Sequence, residues 1–133
     1  MKSEPDVFSI AHLRRKNVAG WDGVRNYQAR NNLKAMRVGD LAFFFHSSTK
    51  VPAIVGLMEI VRQAYPDTTA KEPGWVQVDV KFLEEFSSPL SLEEIKQIDA
   101  LGSMVLVRNS RLSVQPVTPS EWKVLIDRLR KRG

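Results

Sequence analysis

The chain has 133 residues, with 20 lysine and arginine side chains against 15 aspartates and glutamates, and no cysteine. This length predicts one domain over residues 1–133 that buries a core without disulfides, and the absence of cysteine also excludes a thiolate metal site. No apolar run approaches the roughly 18 residues of a membrane span, and the charged start lacks the apolar stretch of a signal peptide. We therefore expect a cytoplasmic monomer that makes no contact with a membrane.

Positive charge is concentrated at the two ends of the chain. Residues 1–40 hold 8 basic and 4 acidic side chains, and residues 101–133 hold 7 basic and 2 acidic ones. Residues 41–100, between them, hold 5 basic and 9 acidic side chains. If the fold brings the ends together, they form a positive face suited to phosphate. The alternative is an ordinary solvated surface.

The first third of the chain predicts a strand end and two helices. Residues 2–5 resemble the tail of a strand that stops at a proline. Ser9 is a suitable cap for a short helix over residues 10–16, whose basic end complements the helix dipole. A glycine-containing loop is expected around Trp21, and apolar residues at helical spacing predict a second helix over residues 25–36.

The middle of the chain predicts three strands. Residues 41–45 are an apolar run typical of a strand buried on both faces. Residues 53–65 predict a long strand in which Gly56 marks a bulge or a close approach of another element. After a polar loop, residues 75–82 alternate between apolar and polar side chains and predict a half-buried strand.

The last third predicts two capped helices. Ser91 and Glu94 form a capping box for a helix that runs to about residue 100. Residues 104–108 and 111–117 indicate short strands or extended segments. Thr118, followed by a proline and a glutamate, opens a helix that runs to about residue 131. The predicted fold is α+β, with about five strands closed into a small barrel and helices around it.

Catalytic chemistry has few candidates in this sequence. Of the two histidines, His12 lies in a basic helix, whereas His46 ends a predicted strand, where it either serves a site or satisfies local backbone groups. The spacing of the histidines does not fit a zinc site, and no phosphate-binding glycine motif is present. We expect no metal and no cofactor. An enzyme that acts on a nucleobase or a small metabolite, with Asp22 or His46 as its base, is the weaker alternative.

Binding chemistry is concentrated in residues 21–30, which read WDGVRNYQAR. Arginine makes bidentate contacts to phosphate, aromatic rings stack on bases, and asparagine or glutamine reads the edge of a base. The alternative is that Trp21 and Tyr27 anchor the core. Trp75 lies on the polar face of its predicted strand, where it is either a second aromatic wall or the cover for a loop.

Several segments resemble the EVE domain family, in the same order along the chain. They are MKSEPDVFSI (1–10), WDGVRNYQARNNLKAM (21–36), VGDLAFFFHSS (38–48), IVGLMEIVRQAYPD (54–67), WVQVDVKF (75–82) and RLSVQPVTPSEW (111–122). The resemblance implies a PUA-like pseudo-barrel of about five to six strands flanked by helices. It also implies a non-enzymatic reader of nucleic acid, related in fold to YTH domains, that encloses a modified base. Methylated or hydroxymethylated cytosine in DNA is the leading candidate.

The resemblance and the charge distribution together predict the site residues. The pocket for the modified base is expected to contain Ser3, Trp21, Asn26, Tyr27, Gln28, Phe45, His46 and Trp75. The phosphate-binding rim is expected to contain Lys2, Arg25, Arg30, Arg108, Arg111 and Gln115. The partner is DNA or RNA. The alternative to a modified-base reader is a general RNA-binding module of PUA type, which would show steep salt dependence and no preference for a modification.

Overall fold

The computed structural model describes residues 1–109 and 111–131. Within them, one five-stranded sheet has the strand order β1-β3-β4-β5-β2. The strands are β1 (Lys2–Ser3), β2 (Val18–Trp21), β3 (Leu41–His46), β4 (Ala53–Pro66) and β5 (Val76–Ser91). Strand β1 runs parallel to β3, and the other neighbours are antiparallel. The long β4 and β5 hairpin is the centre of the sheet, and the two shortest strands form its edges.

The sheet does not close on itself in the described residues. The α+β class is confirmed, but the predicted barrel closure is wrong, because β1 and β2 lie at opposite edges of the strand order. Strand β1 is only two residues long, and on its free side the N–H of Lys2 donates to the carbonyl of Ser113 at 2.8 Å. A short edge strand that pairs with an irregular segment leaves a gap between the two sheet edges.

Five α-helices flank the sheet in the described part of the chain: α1 (Ile10–Lys16), α2 (Tyr27–Ala35), α3 (Leu92–Lys96), α4 (Val105–Arg108) and α5 (Pro119–Lys131). The predicted caps of α1 and α5 are confirmed. Ser9 Oγ accepts from the N–H of His12, and Thr118 exchanges hydrogen bonds with Glu121. Such caps satisfy the free N–H groups of the first helical turn.

The core lies on both faces of the sheet. On one face Phe44 and Val80 pack with Leu13 of α1 and Leu33 of α2. On the other face Phe43 and Phe45 pack with α3, α4 and α5. Successive residues of a strand point to opposite faces, so the three adjacent phenylalanines of β3 enter two different clusters. The prediction of a strand buried on both faces is confirmed.

Gly56 lies where helix α1 approaches the sheet. A Cβ atom at this position would lie 2.4 Å from Ile10 Cδ1 and 2.9 Å from the carbonyl oxygen of Glu84. The pairing of β4 with β5 also shifts register between Ile54 and Gly56. The predicted bulge or close approach is therefore confirmed in both senses.

Three sequence-based predictions of local structure were wrong or incomplete. The expected loop around Trp21 is strand β2, because Trp21 pairs with Val78 of β5. Residues 105–108 form a short helix rather than the expected short strand or extended segment, and Leu106 of this helix lies in the core. The strand expected over residues 75–82 continues to Ser91. Each outcome depends on contacts that are distant in sequence and that local patterns do not report.

The remaining C-terminal predictions are correct in part. The helix expected from Ser91 to about residue 100 ends at Lys96 and is followed by a 3-10 turn over Asp99–Leu101. Residues 111–117 contain no regular strand and include a turn at residue 111 and bends at residues 113 and 114.

Candidate functional site

An open cleft of about 540 Å³ lies between the two edges of the sheet. We refer to it as the β1–β2 cleft, and this volume is typical of sites for small ligands. Its lining combines aromatic, cationic and amide side chains with exposed backbone: Lys2, Ser3, Val7, Phe8, Lys16, Ala19, Gly20, Trp21, Asp22, Gly23, Val24, Arg25, Asn26 and Ser113. Five of the predicted site residues meet here, namely Lys2, Ser3, Trp21, Arg25 and Asn26.

Trp21 forms the aromatic wall of the cleft and is also part of the core. Only 7% of the residue is exposed. Its ring makes edge contacts with Phe44 and Phe8, at centroid distances of 5.2 and 6.3 Å. Edge-to-face packing of this kind holds a ring in one orientation. The two interpretations of Trp21, core anchor and pocket wall, are therefore compatible.

Asn26 caps helix α2 beside the cleft. Its Oδ1 atom accepts a hydrogen bond from the N–H of Ala29 at 3.0 Å, which fixes the orientation of the side chain. Within residues 1–109 and 111–131, Nδ2 has no protein partner, and the residue is exposed. A fixed amide with a free N–H₂ group can donate to an acceptor on a base edge.

Hydrogen bonds to Asp67 anchor the segment that follows Trp21. The buried carboxylate accepts hydrogen bonds from the N–H of Gly23 (2.9 Å), from Arg25 Nη1 (3.0 Å) and from both the N–H and the hydroxyl of Thr69 (2.8 and 2.6 Å). Burial by itself would raise the pKa of Asp67, but the bonds from Thr69, Gly23 and Arg25 lower it to about 2. The carboxylate is therefore charged and holds the cleft wall in place.

Sequence reasoning missed Asp67. The signal for it was local: an aspartate directly after a strand, with Thr69 two residues later, is typical of a turn in which the side chain accepts from the backbone. The bonds to Gly23 and Arg25, by contrast, span more than forty residues and have no signature in the sequence.

Cationic side chains stand at the rim of the cleft. Lys2, Lys16 and Arg25 line it, and the ammonium group of Lys2 lies 5.7 Å from the ring centroid of Phe45, a core residue outside this lining. Burial lowers the pKa of Lys2, so an anion placed next to this ammonium group would stabilise its charged form. Arg25 pairs with Asp67, yet 38% of its side chain is exposed. The rim has the chemistry needed to attract phosphate.

Tyr27, Trp75 and Arg30 lie together outside the lining of the cleft. The rings of Tyr27 and Trp75 stack with centroids 5.1 Å apart and planes 27° apart. The guanidinium carbon of Arg30 lies 4.9 Å from the centroid of Tyr27 and 5.5 Å from that of Trp75. We call these three residues the Tyr27 platform. The structure brings these residues to one another and outside the lining of the cleft, although Tyr27 and Trp75 were predicted for the pocket and Arg30 for its rim.

His46 and Phe45 lie outside the lining of the cleft. Nε2 of His46 accepts a hydrogen bond from the N–H of Ile10 at 3.1 Å, at the start of α1. Burial lowers the pKa of His46, and the nearby charge of Glu85 opposes this. Phe45 is 5% exposed and belongs to the core. The structure thus supports the local role for His46, as an acceptor for a backbone group.

The C-terminal basic residues do not enter the lining. Nε of Arg108 donates to the carbonyl of Gly102 at 2.8 Å, and Arg111 is exposed. Gln115 Nε2 donates to the carbonyl of Leu112 at 2.6 Å. The two ends of the chain do meet at the cleft, but through Lys2 and Ser113. Gln28, the other predicted pocket residue, is exposed on α2 and lies outside the lining.

Metal-ligand clusters and membrane-spanning helices are both absent from the described residues. Neither residues 1–109 nor 111–131 bring three or more histidine, aspartate or glutamate side chains together as metal ligands. No helix in this part of the chain has the length and apolar character needed to cross a membrane.

The chain is similar in sequence and in fold to known proteins. Residues 1–128 match the EVE domain. The chain is 43% identical to thymocyte nuclear protein 1 of Mus musculus, with 95% of this chain and 70% of that protein aligned. A solved hypothetical protein from Leishmania major superposes with a TM-score of 0.94 at 42% identity, covering 99% of this chain and 93% of that one. The human THYN1 protein, solved in complex with 5-methylcytosine-containing DNA, superposes with a TM-score of 0.91 at 40% identity, covering 97% and 95%.

Proposed function

Since this chain belongs to the EVE domain family, we propose that it binds nucleic acid and reads it by holding a modified base in the β1–β2 cleft. The observation that carries the proposal is the cleft itself, which has Trp21 as a wall and Lys2 and Arg25 at the rim. The DNA complex of the human relative supports the choice of nucleic acid as the ligand. According to this proposal, contacts to phosphate supply affinity, and contacts inside the cleft supply selectivity for the base.

Methylated or hydroxymethylated cytosine in DNA is the ligand we propose first. The human relative was solved with 5-methylcytosine-containing DNA, and the rings of Trp21 and Phe8 give the cleft an apolar wall suited to a methyl group. A base must leave its stack to be enclosed, which costs a few kcal/mol, and contact with aromatic rings offsets this cost. The amide of Asn26 is placed to read the base edge.

We propose binding without catalysis. Nε2 of His46, the stronger candidate for a general base, is occupied by the N–H of Ile10. Asp22 lines the cleft but is exposed, whereas general-base catalysis needs a carboxylate that is held in position beside its substrate. The amide and guanidinium groups around them bind and orient a ligand but do not transfer protons.

The test is a binding series with matched oligonucleotides that contain cytosine, 5-methylcytosine or 5-hydroxymethylcytosine at one position, at two salt concentrations. A reader binds one modified oligonucleotide about tenfold more tightly than the unmodified one at both salt concentrations. Equal affinity for all three, with a steep salt dependence, would contradict modified-base reading and identify a general nucleic-acid-binding module.

A charge variant tests the position of the phosphate rim. Lys16→Gln should weaken binding to every oligonucleotide to a similar extent and reduce the salt slope by about one. Lys50→Gln is the matched control, because Lys50 is exposed in the loop between β3 and β4 and lies outside the cleft. Equal salt slopes for the two variants would place the rim elsewhere.

A cytoplasmic location and a monomeric state remain predictions. Light scattering of the purified protein, alone and with an oligonucleotide, tests the second. A mass of about twice that of the chain in the free protein would contradict it.

A further inference from the structure

The Tyr27 platform is a surface feature that the cleft does not use. Tyr27 is 67% exposed although its ring stacks on Trp75. Trp75 is half-buried beneath it, so the outer part of the stack, formed by Tyr27, leaves apolar surface in contact with water. Flat aromatic surfaces of this kind are the usual stacking sites for unpaired bases.

Arg30 gives the platform a charge that the described residues do not neutralise. Its guanidinium lies against both rings. Its one hydrogen bond, from Nη1 to the carbonyl of Gly74, is long at 3.5 Å, and in residues 1–109 and 111–131 it has no carboxylate partner. A weakly bonded guanidinium beside stacked rings is suited to both phosphate and a base.

The platform adjoins the β1–β2 cleft. Asn26, which lines the cleft, directly precedes Tyr27, and Arg25 of the cleft lining contacts the platform. The side chain of Arg25 lines the cleft, and its guanidinium carbon lies 5.8 Å from the ring centroid of Trp75. A ligand that leaves the cleft past Arg25 therefore meets the platform next.

We propose that the Tyr27 platform binds the nucleotide next to the one held in the cleft, with its unpaired base stacked on Tyr27 and its phosphate against Arg30. The proposal rests on the nucleic-acid binding proposed above and adds a second subsite to it. Because stacking is tolerant of sequence, this subsite adds affinity but does not choose the modification. A purely structural role, in which the rings only fasten the loop before β5 to α2, would produce no such subsite.

The experiment combines a protein variant with an altered ligand. Single-stranded oligonucleotides carry 5-methylcytosine or cytosine at one position and either an intact or an abasic neighbour on each side. Wild type should bind the intact oligonucleotide about tenfold more tightly than the one that is abasic on the stacked side. Tyr27→Ala should weaken binding of the intact oligonucleotide about tenfold and leave binding of the abasic one nearly unchanged, whereas Tyr27→Phe should retain the affinity of the wild type.

Controls separate folding from binding. Tyr27→Ala should keep a melting temperature within a few degrees of wild type, because the side chain is mostly exposed. Val51→Ala removes an apolar side chain that is 63% exposed and lies outside the lining of the cleft and outside the three residues of the platform, and it should bind like wild type.

The outcomes distinguish the two proposals. If Tyr27→Ala weakens binding of the intact and the abasic oligonucleotide equally, or weakens neither, the platform subsite is overturned. A preference of the same protein for 5-methylcytosine would still uphold modified-base reading. Conversely, the abasic neighbour could weaken binding to wild type but not to Tyr27→Ala, while neither protein prefers 5-methylcytosine to cytosine. This result would uphold the platform subsite and overturn modified-base reading. Absence of binding to every oligonucleotide would overturn both.

Discussion

The carboxylate of Asp67 accepts a hydrogen bond from the guanidinium of Arg25 at 3.0 Å, across 42 positions of sequence. No part of the Asp67 side chain is exposed, whereas Arg25 reaches solvent at the rim of the cleft. The same carboxylate binds the N–H of Gly23. One buried charge thus fixes the segment that carries the rim cation, and it links the loop after β4 to the wall of the cleft.

We expect Asp67→Asn to destabilise the protein by about 3 kcal/mol. Asparagine has one acceptor oxygen in place of two, so its N–H₂ group would face donors from Gly23 and Arg25 or from Thr69, which leaves buried donors unpaired. Urea denaturation measures the loss. Glu72→Gln, an exposed acid in the same loop, is the matched control and should change stability by less than about 0.5 kcal/mol. Equal midpoints for the two variants would show that Asp67 does not anchor the wall.

Substitutions of Trp21 should separate its two roles. Trp21→Ala removes a buried ring that packs on Phe44 and should cost about 3–5 kcal/mol of stability, so lost binding in this variant would be ambiguous. Trp21→Phe keeps an aromatic ring in the core and should lose much less. We therefore expect Trp21→Phe to melt close to wild type and to bind the modified oligonucleotide several-fold more weakly. Unchanged affinity would mean that the indole does not contact the base.

Replacing Gly56 should force α1 away from the sheet. Gly56→Ala places a Cβ atom within 2.4 Å of Ile10 Cδ1, and overpacking of this kind costs about 1–3 kcal/mol. A double-mutant cycle combines Gly56→Ala with Ile10→Ala, and the second substitution removes the side-chain atoms that the new Cβ atom would clash with. The double variant should be less destabilised than the sum of the single variants. Simple additivity would mean that the clash with the backbone of Glu84 dominates.

The stability of the protein should fall as pH is lowered through the titration of His46. Burial lowers the pKa of His46 in the folded state from 6.5, so the unfolded chain binds its proton first. The contribution of His46 to stability is therefore complete above about pH 6.5 and is lost as pH falls through the lower folded pKa. A positive charge beside the N–H of Ile10 also opposes the dipole of α1.

His46→Gln is the variant that isolates this effect, because an amide oxygen can accept from Ile10 but does not titrate between pH 7.5 and 5. Denaturation midpoints at these two pH values should differ more for wild type than for His46→Gln. The same pH dependence in both proteins would assign it to other groups.

Local signals in the sequence predicted the helices that carry their own caps. Ser9 and Thr118 precede α1 and α5 and satisfy their first N–H groups from within three residues, so each helix start is readable without knowledge of the fold. The apolar run of β3 and the role of Gly56 were also predictable, because burial on both faces and close approach leave a compositional mark.

Local signals did not decide which aromatic residues are buried. Trp21 and Tyr27 are six positions apart in one segment, and the sequence left both as core anchors or as binding residues. Pairing of Trp21 with Val78 in β5 turns its ring into the core, whereas Tyr27 begins α2 and is 67% exposed. Likewise, Arg25 reaches the cleft, and Arg108 bonds to the backbone of its own segment.

The sequence by itself determined the α+β class, the capped helices and the family resemblance, and it predicted a binding segment, because each depends on residue types within local stretches of the chain. Only the tertiary structure decided that the sheet stays open between β1 and β2, and that this gap is the cleft. The tertiary structure alone placed Asp67 in contact with Arg25, and it placed Tyr27 and Trp75 on a surface outside the lining of the cleft. These outcomes depend on contacts between residues that are more than forty positions apart, and such contacts form only when the whole chain has folded.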